Sequence, residues 1–150
     1  MSRTVLLVGL PGSGATTVGA LLASRLGTPF LDDDVLLQRA GGSAQALTLL
    51  LGVPEGLVAS VPDDVIEDAS GRERLASGHA HVVWLRCSIP VLARRLAATW
   101  GPEAATTLRR LTAERTGLYE QVADQVIDTD AQPAGAVARM IMAYLAEHEE

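Results

Sequence analysis

The chain has 150 residues and 48% hydrophobic content, which suits one globular domain over residues 1–150 rather than a disordered segment. Its formal charge of −6 argues against nucleic acid as a partner, and its apolar runs are too short to span a membrane. The single cysteine, Cys87, excludes an intrachain disulfide, and the compartment we expect is cytoplasmic. All 12 basic residues are arginines, so the chain contains no lysine.

Strand-like and helix-like segments alternate along the chain, which predicts an α/β fold with a parallel sheet covered by helices on both faces. Short apolar runs predict five strands, at Thr4–Val8, Pro29–Leu31, Val65–Ile66, His81–Leu85 and Val126–Ile127. Helical spacing, with glycines and prolines at the ends, predicts helices at about Thr16–Leu26, Val35–Arg39, Ser43–Leu51, Arg72–Leu75, Pro90–Thr99, Glu103–Val122 and Pro133–Leu145. Residues 52–63 show no clear pattern.

A glycine-rich segment joins the first predicted strand to the first predicted helix. It reads Gly9-Leu10-Pro11-Gly12-Ser13-Gly14-Ala15-Thr16-Thr17, the phosphate-loop pattern G-x-x-x-x-G-K-[ST] with Ala15 in the place of lysine. Glycines let backbone N–H groups surround phosphate oxygens, and the helix that follows adds the positive end of its dipole. Thr16 occupies the position whose hydroxyl holds Mg²⁺. The segment predicts a phosphate site without its side-chain charge, and an ordinary glycine turn is the alternative.

Both ends of the chain resemble shikimate kinases. Near the start, the glycine loop and Phe30-Leu31-Asp32-Asp33-Asp34 match the family's strand, P-loop and Asp-x-Asp. Near the end, Arg115-Thr116-Gly117-Leu118-Tyr119 followed by Val126-Ile127-Asp128-Thr129 matches the family's arginine before Leu-Tyr and its last strand. The resemblance implies a three-layer α/β/α P-loop fold with a five-stranded parallel sheet in the order 2-3-1-4-5. It also implies an ATP- and Mg²⁺-dependent kinase that acts on shikimate, a small hydroxylated acid.

The resemblance assigns roles to individual residues. Those that would hold the nucleotide phosphates are Gly9, Gly12, Ser13, Gly14, Ala15, Thr16 and Thr17. Thr16 and Asp32 would bind the metal, and Asp32 and Asp34 would form the catalytic pair, with Asp34 also binding the substrate hydroxyls. Arg115 would clamp the substrate carboxylate, and Arg95 would lie over the adenine.

Each of these roles has a plainer alternative. The three consecutive aspartates are also typical of a solvated turn that caps the next helix. Arg95 and its neighbour Arg94 would suit an exposed helix face nearly as well. Arg115 would also suit a surface pair with Glu114 or Glu120, but its place before Leu-Tyr favours the family role.

The chain departs from the family at four places. Ala15 removes the loop lysine, and the region Pro54–Pro62 lacks the family's carboxylate-binding arginine. Val65–Gly71 stands where we expect the family's triple glycine after the third strand, so that Glu67 and Asp68 would repel an acid. Between Thr99 and Thr107 the lid motif Arg-Pro-Leu-Leu is absent, so the lid is expected to be short.

Four smaller features complete the prediction. Glu67 and Asp68 also fit a carboxylate at a strand end that organises Mg²⁺, or simply a polar turn. Asp63 and Asp64 are expected in a helix-free turn. His79 and His81 are expected at the surface or a sheet edge, and Cys87 as a buried structural thiol.

Two functions remain open from the sequence. The first is an ATP-dependent kinase, which the retained Thr16, Asp32, Asp34 and Arg115 favour. The second is a degenerate kinase that binds a nucleotide, another anion or a protein partner without turnover, which the four departures favour. Neither function involves nucleic acid or a membrane.

Overall fold

The computed structural model describes residues 4–54 and 56–148. Its strands are β1 (Val5–Val8), β2 (Phe30–Leu31), β3 (Val58–Ser60), β4 (His81–Arg86) and β5 (Gln125–Asp128). Its helices are α1 (Ala15–Leu26), α2 (Asp33–Ala40), α3 (Ser43–Leu51), α4 (Ala69–Leu75), α5 (Ile89–Trp100), α6 (Ala104–Val122) and α7 (Ala134–Glu147), with short 3₁₀ helices at Asp63–Glu67 and Gly101–Glu103. None of the helices in the described ranges is long and apolar enough to cross a membrane.

The strands form one parallel sheet in the order β2-β3-β1-β4-β5, which confirms the predicted fold class and order. The central strand β1 pairs on one side with β3, where Val5 lies opposite Val58, and on the other side with β4, where Val5 lies opposite His81. A strand enclosed in this way has no exposed face, and all residues of β1 are buried. The carboxyl end of β1 therefore opens directly into the glycine loop.

Side chains of β1 alternate between two cores. Leu6 and Val8 pack with α2, α3, α4 and α6 on one face of the sheet. Val5 and Leu7 pack with α1 and α7 on the other face. This alternation follows from the two-residue period of a strand, and it produces three layers. Helix α5 packs beside α6 at the end of the sheet that carries β4 and β5.

The predicted third strand at Val65–Ile66 is wrong. The third strand is Val58–Ser60, which lies fully buried between β1 and β2. Val65 and Ile66 are buried as well, but they belong to the 3₁₀ helix Asp63–Glu67. Their apolar character serves the core under α4 rather than the sheet. The expectation of a helix-free turn at Asp63 and Asp64 is therefore wrong too.

His81 is 1% exposed, so its expected surface position is wrong, whereas His79 is exposed. The His81 ring stacks on Tyr144 with 4.7 Å between ring centres, and its Nε2 lies 2.8 Å from Gln125 Oε1. These contacts join β4 to β5 and α7, so His81 has a packing role.

Candidate functional site

The glycine loop lies at the carboxyl edge of the sheet, between β1 and the first turn of α1. Gly12 and Gly14 have φ values of 87° and 93°, in the left-handed region that other residues rarely adopt. The first hydrogen bond of α1 runs from the Val18 N–H to the Gly14 carbonyl, 3.0 Å away. The N–H groups of Ala15, Thr16 and Thr17 precede this bond, and they lie where a helix can hold an anion.

Gly9 and Ser13 set the curvature of the loop. A Cβ on Gly9 would lie 2.9 Å from both the Leu85 carbonyl oxygen and Ser13 Oγ, so no larger residue fits without a shift. Ser13 is buried, and its N–H donates to the Leu10 carbonyl at 3.1 Å. The Ser13 side chain therefore lies against Gly9, and its backbone N–H closes a turn of the loop.

Ala15 is the first residue of α1, and its methyl group packs against the core beneath that helix. It contributes a backbone N–H to the loop and no charge. The structure therefore forms a glycine loop between β1 and α1 with no charged side chain at position 15, and phosphate binding there stays a prediction.

Asp32 lies opposite the loop, at the carboxyl end of β2. The Thr16 hydroxyl donates to Asp32 Oδ1 at 3.2 Å, and Ser60 Oγ lies 3.1 Å from the same oxygen. Hard oxygen atoms of this kind are the ligands that Mg²⁺ prefers. The described residues contain no group of three His, Cys, Asp or Glu side chains arranged around one metal position. A magnesium ion would therefore take its other ligands from phosphate and water.

Asp33 occupies a different environment from its neighbour. Its N–H donates to Ser60 Oγ at 2.9 Å, and its carboxyl group lies 3.1 Å from the same hydroxyl. Burial raises the pKa of Asp33 to about 6, and its hydrogen bond with Asp32 adds to this. The same bond lowers the pKa of Asp32. Asp34 is exposed in the first turn of α2.

Arg115 of α6 holds two carboxylates of its own chain. Its Nη1 donates to Asp63 Oδ2 at 2.9 Å, and its Nε donates to Glu67 Oε1 at 3.1 Å. The Arg115 side chain is 5% exposed, whereas those of Asp63 and Glu67 are 44% and 46% exposed. The alternative pairing of Arg115 with Glu114 or Glu120 on the surface is wrong, because Arg110 is the partner of Glu114 and Arg115 faces inward.

The interpretation of Glu67 and Asp68 as carboxylates at a strand end is wrong. Glu67 ends the 3₁₀ helix, and Asp68 caps α4 by accepting the Gly71 N–H at 2.9 Å. Because β3 ends at Ser60, the segment after the third strand is Val61–Asp64 rather than Val65–Gly71. Asp63, in this segment, is the nearer of the two carboxylates bonded to Arg115, at 2.9 Å against 3.1 Å for Glu67.

Arg95 lies exposed on α5, and its side chain reaches the glycine loop. Its Nη1 donates to the Gly12 carbonyl at 2.9 Å and lies 3.7 Å from Cys87 Sγ. Cys87 is half-buried rather than fully buried, and this burial raises the pKa of its thiol. Arg95 thus borders the loop, and Arg94 is exposed.

A cavity of about 570 Å³ lies beside the loop, between β4, α5 and α6. Its walls include Leu10, Trp84, Leu92 and Tyr119. The connection from α5 to α6 is the 3₁₀ helix Gly101–Glu103. That the lid is shorter than in the family stays a prediction. No sequence pattern pointed to the cavity, because it is a gap that forms only when β4, α5 and α6 pack beside the glycine loop and the end of β5.

The fold and the loop define the class, a P-loop α/β protein of the kinase type. The family model "Shikimate kinase" matches residues 44–146, and shikimate kinase from Mycobacterium bovis is 33% identical over 97% of this chain and 94% of its own length. The chain belongs to the shikimate kinase family. The alignment with the M. bovis enzyme spans 169 positions for a chain of 150 residues, so that relative has segments that this chain lacks.

Solved structures give the same assignment. Shikimate kinase from Acinetobacter baumannii, determined in complex with shikimate, superposes with a TM-score of 0.86 at 25% identity, covering 100% of this chain and 97% of that one. Shikimate kinase from Bacteroides thetaiotaomicron shares the fold with a TM-score of 0.78 at 21% identity, covering 96% of this chain and 98% of that one.

Proposed function

We propose that this chain binds a nucleotide or another phosphate-bearing ligand at its glycine loop and does not phosphorylate shikimate. The observation that carries the proposal is the pairing of Arg115 with Asp63 and Glu67. Arg115 is the residue that the family resemblance assigns to the substrate carboxylate, and here its Nε and Nη1 are already in use. An acid would have to displace one of these carboxylates and would meet the negative charge of the other.

The loss of the loop lysine acts in the same direction. Phosphoryl transfer depends on positioning and on charges that stabilise the transition state, and losing one such group typically costs about 10²–10³ in rate. Ala15 brings no charge, and the guanidinium of Arg95, which borders the loop, is bonded to the Gly12 carbonyl. Binding is affected less, because backbone N–H groups and the α1 dipole supply much of the attraction for phosphate.

Thr16 and Asp32 would hold a magnesium ion that accompanies the nucleotide. When bound, such an ion neutralises charge on the phosphate oxygens. Gly12, Gly14, Ala15, Thr16 and Thr17 would line the phosphate side, and Arg95 would border the nucleotide beyond Gly12.

A second candidate is an active ATP-dependent kinase acting on shikimate, with Asp32 and Asp34 as its catalytic pair. The observation that favours it is the intact contact between Thr16 and Asp32, which bridges the loop and β2 at 3.2 Å.

Calorimetric titration with MgADP and MgATP, followed by a coupled assay with ATP and shikimate, separates the two candidates. Saturable nucleotide binding without turnover supports the proposal, and turnover at an ordinary kinase rate establishes the second candidate. Failure of both nucleotides to bind would reject the phosphate site and leave a protein-partner role.

A further inference from the structure

We propose that Arg25 of α1 and Arg139 of α7 together bind the phosphate group of a small molecule, either inorganic phosphate or a phosphate monoester. The guanidinium groups of this arginine pair approach each other beside Gly135, the second residue of α7. The site lies away from the glycine loop, and it does not rest on the function proposed above.

The spacing of the arginine pair follows from its contacts with Gly135. A Cβ at that position would lie 3.4 Å from Arg25 Nη2 and 3.7 Å from Arg139 Nη1, so the two nitrogens are no further apart than the sum of these distances. Charge-assisted N–H···O bonds are about 2.7–2.9 Å long. A phosphate group, with oxygens on opposite sides, can therefore span the gap with one bond to each guanidinium.

The arginine pair has no acidic partner. Within residues 4–54 and 56–148, neither Arg25 nor Arg139 forms an ion pair with Asp or Glu, although the chain as a whole carries a formal charge of −6. Both residues are exposed, so their charges are accessible to a ligand from solution. Two neighbouring cations repel each other, and an anion between them relieves that repulsion.

The arginine pair is held in place by the packing of α1 against α7. Arg25 Nη1 donates to the Gly135 carbonyl at 3.2 Å, and this bond leaves Arg25 Nη2 and Nε available. The two helices share one core, to which Leu22 of α1 and Val137 of α7 belong. Because Gly135 has no side chain, the space between the two guanidinium groups is not filled by its own residue. A site assembled in advance loses less entropy when it binds.

The chemistry of the arginine pair favours phosphate over a carboxylate. Planar guanidinium groups suit oxyanions, and a phosphate monoester carries a charge of about −1.5 to −2 near pH 7. That charge matches two cations, whereas a carboxylate brings one charge and two oxygens on the same side. The negative charge of the rest of the chain disfavours a large polyanion, so the ligand we infer is small.

A phosphate at the arginine pair is separate from one on the glycine loop. Arg25 follows Ala15, the first residue of α1, by ten positions, which is about 15 Å along a helix axis. The two anions can therefore bind at the same time.

The test is a titration of the full ¹⁵N-labelled chain with sodium phosphate at neutral pH and constant ionic strength, with saturating MgADP present. NMR shifts of the Gly135 amide and its neighbours report the arginine pair, and those of Gly12 and Gly14 report the loop. We expect saturable shifts at Gly135 with phosphate and at least about tenfold weaker binding of acetate, which carries half the charge. Phenyl phosphate in a parallel titration shows whether a monoester binds as well as free phosphate does.

Substitutions assign the binding to the two guanidinium groups. Arg25→Gln and Arg139→Gln should each weaken phosphate about tenfold, the usual effect of losing one charge-assisted hydrogen bond, and the double variant should abolish saturation. Arg39→Gln is the matched control, since Arg39 is an exposed arginine in the last turn of α2. It should leave the affinity unchanged.

The proposal would be overturned by phosphate titrations that produce no saturable shift at Gly135. Equal weakening by Arg39→Gln would overturn it as well, because the effect would then come from net charge alone. Acetate binding as tightly as phosphate would exclude a phosphate site, and loss of the Gly135 shifts on addition of MgADP would assign the arginine pair to the nucleotide. Failure of MgADP to bind would be visible at Gly12 and Gly14 and would leave the Gly135 result unaffected.

Discussion

Arg115 and Asp63 form an ion pair of 2.9 Å in which the guanidinium is buried and the carboxylate is half exposed. Glu67 completes the arrangement at 3.1 Å, again from a half-exposed position. The two sides of the ion pair therefore depend on it to different degrees. Arg115 needs its carboxylates, since a buried charge without a partner is costly, whereas the carboxylates retain access to water without Arg115.

This difference predicts which of two variants loses more stability. Asp63→Asn/Glu67→Gln leaves the Arg115 charge buried and uncompensated, and it should lower the free energy of unfolding by about 3 kcal/mol. Arg115→Met removes the buried charge and fills a similar volume, so it should cost less than about 1 kcal/mol. Urea denaturation at neutral pH measures both. A larger loss for Arg115→Met would show that the ion pair itself stabilises the fold.

The same double variant should admit an acid to the site. With Asp63 and Glu67 neutralised, Arg115 can pair with the carboxylate of shikimate, and charge-assisted hydrogen bonds are worth about 1.5–3 kcal/mol. We expect shikimate binding at least about tenfold tighter than in the unmodified chain, measured by calorimetry. Adding Arg115→Met to the double variant is the control, and it should abolish the gain.

The sequence was sufficient to predict much of the fold. β1 is a continuous buried apolar run, β4 contains one at Val82–Leu85, and the glycine loop lies between a strand and a helix as its pattern requires. β3 could not be predicted in the same way, because Val58–Ser60 is three residues long and contains small side chains. Its pairing between β1 and β2, and not its own composition, makes it a strand.

Prediction of the candidate site from the sequence was limited in a similar way. Arg115 was predicted as a site residue, but its partner Asp63 lies 52 residues away in the chain, and only the fold brings them together. The prediction placed the repelling carboxylates at Glu67 and Asp68, although Asp68 in fact caps α4. Contacts across such separations carry no local sequence signal.

Restoring the loop lysine should separate binding from catalysis. Ala15→Lys adds a charge at the start of α1 and should tighten MgADP binding by about ten- to a hundredfold, since such a charge supplies about 1.5–3 kcal/mol. It should not restore phosphorylation of shikimate, because Arg115 stays paired with Asp63. Calorimetry and a coupled assay measure the two effects.

The matched control for that variant is Ala20→Lys, which places the same charge on an exposed position of the same helix. It should leave the affinity for MgADP nearly unchanged. Full kinase activity in Ala15→Lys would mean that the pairing of Arg115 does not block an acid.

The backbone conformation of the loop predicts the effect of a substitution at Gly14. Gly14→Ala places a side chain at φ 93°, which costs about 1–2 kcal/mol, although its Cβ would meet only Arg95 at 3.9 Å. Both stability and MgADP affinity should fall. Gly78 has a similar φ of 87° with open space around it. Gly78→Ala should therefore reduce stability by a similar amount and leave the affinity for MgADP unchanged. Equal affinity in the two variants would argue against phosphate at this loop.

The environment of Asp33 predicts how stability depends on pH. Burial raises its pKa from 3.8 to about 6, so the folded chain binds more protons than the unfolded chain between about pH 4 and pH 6. The stabilising contribution of protonated Asp33 is fully present below pH 4 and is lost as the pH rises through 6. The amide of Asp33→Asn does not titrate, so the variant does not lose this contribution as the pH rises. The free energy of unfolding of the variant, relative to that of the unmodified chain, should therefore increase by about 1 kcal/mol between pH 4 and pH 7.5, allowing for solvent screening.

Urea denaturation in a chelating buffer, with no divalent cation at Asp32, measures this difference at each pH. Asp34→Asn is the matched control, since it removes a carboxylate from the same turn at an exposed position. A parallel change in both variants would trace the effect to the overall charge of the turn. A change confined to Asp33→Asn would trace the effect to the buried contact of Asp33 with Ser60 and Asp32. This contact holds the carboxyl end of β2 against β3, and it thereby positions Asp32 opposite Thr16.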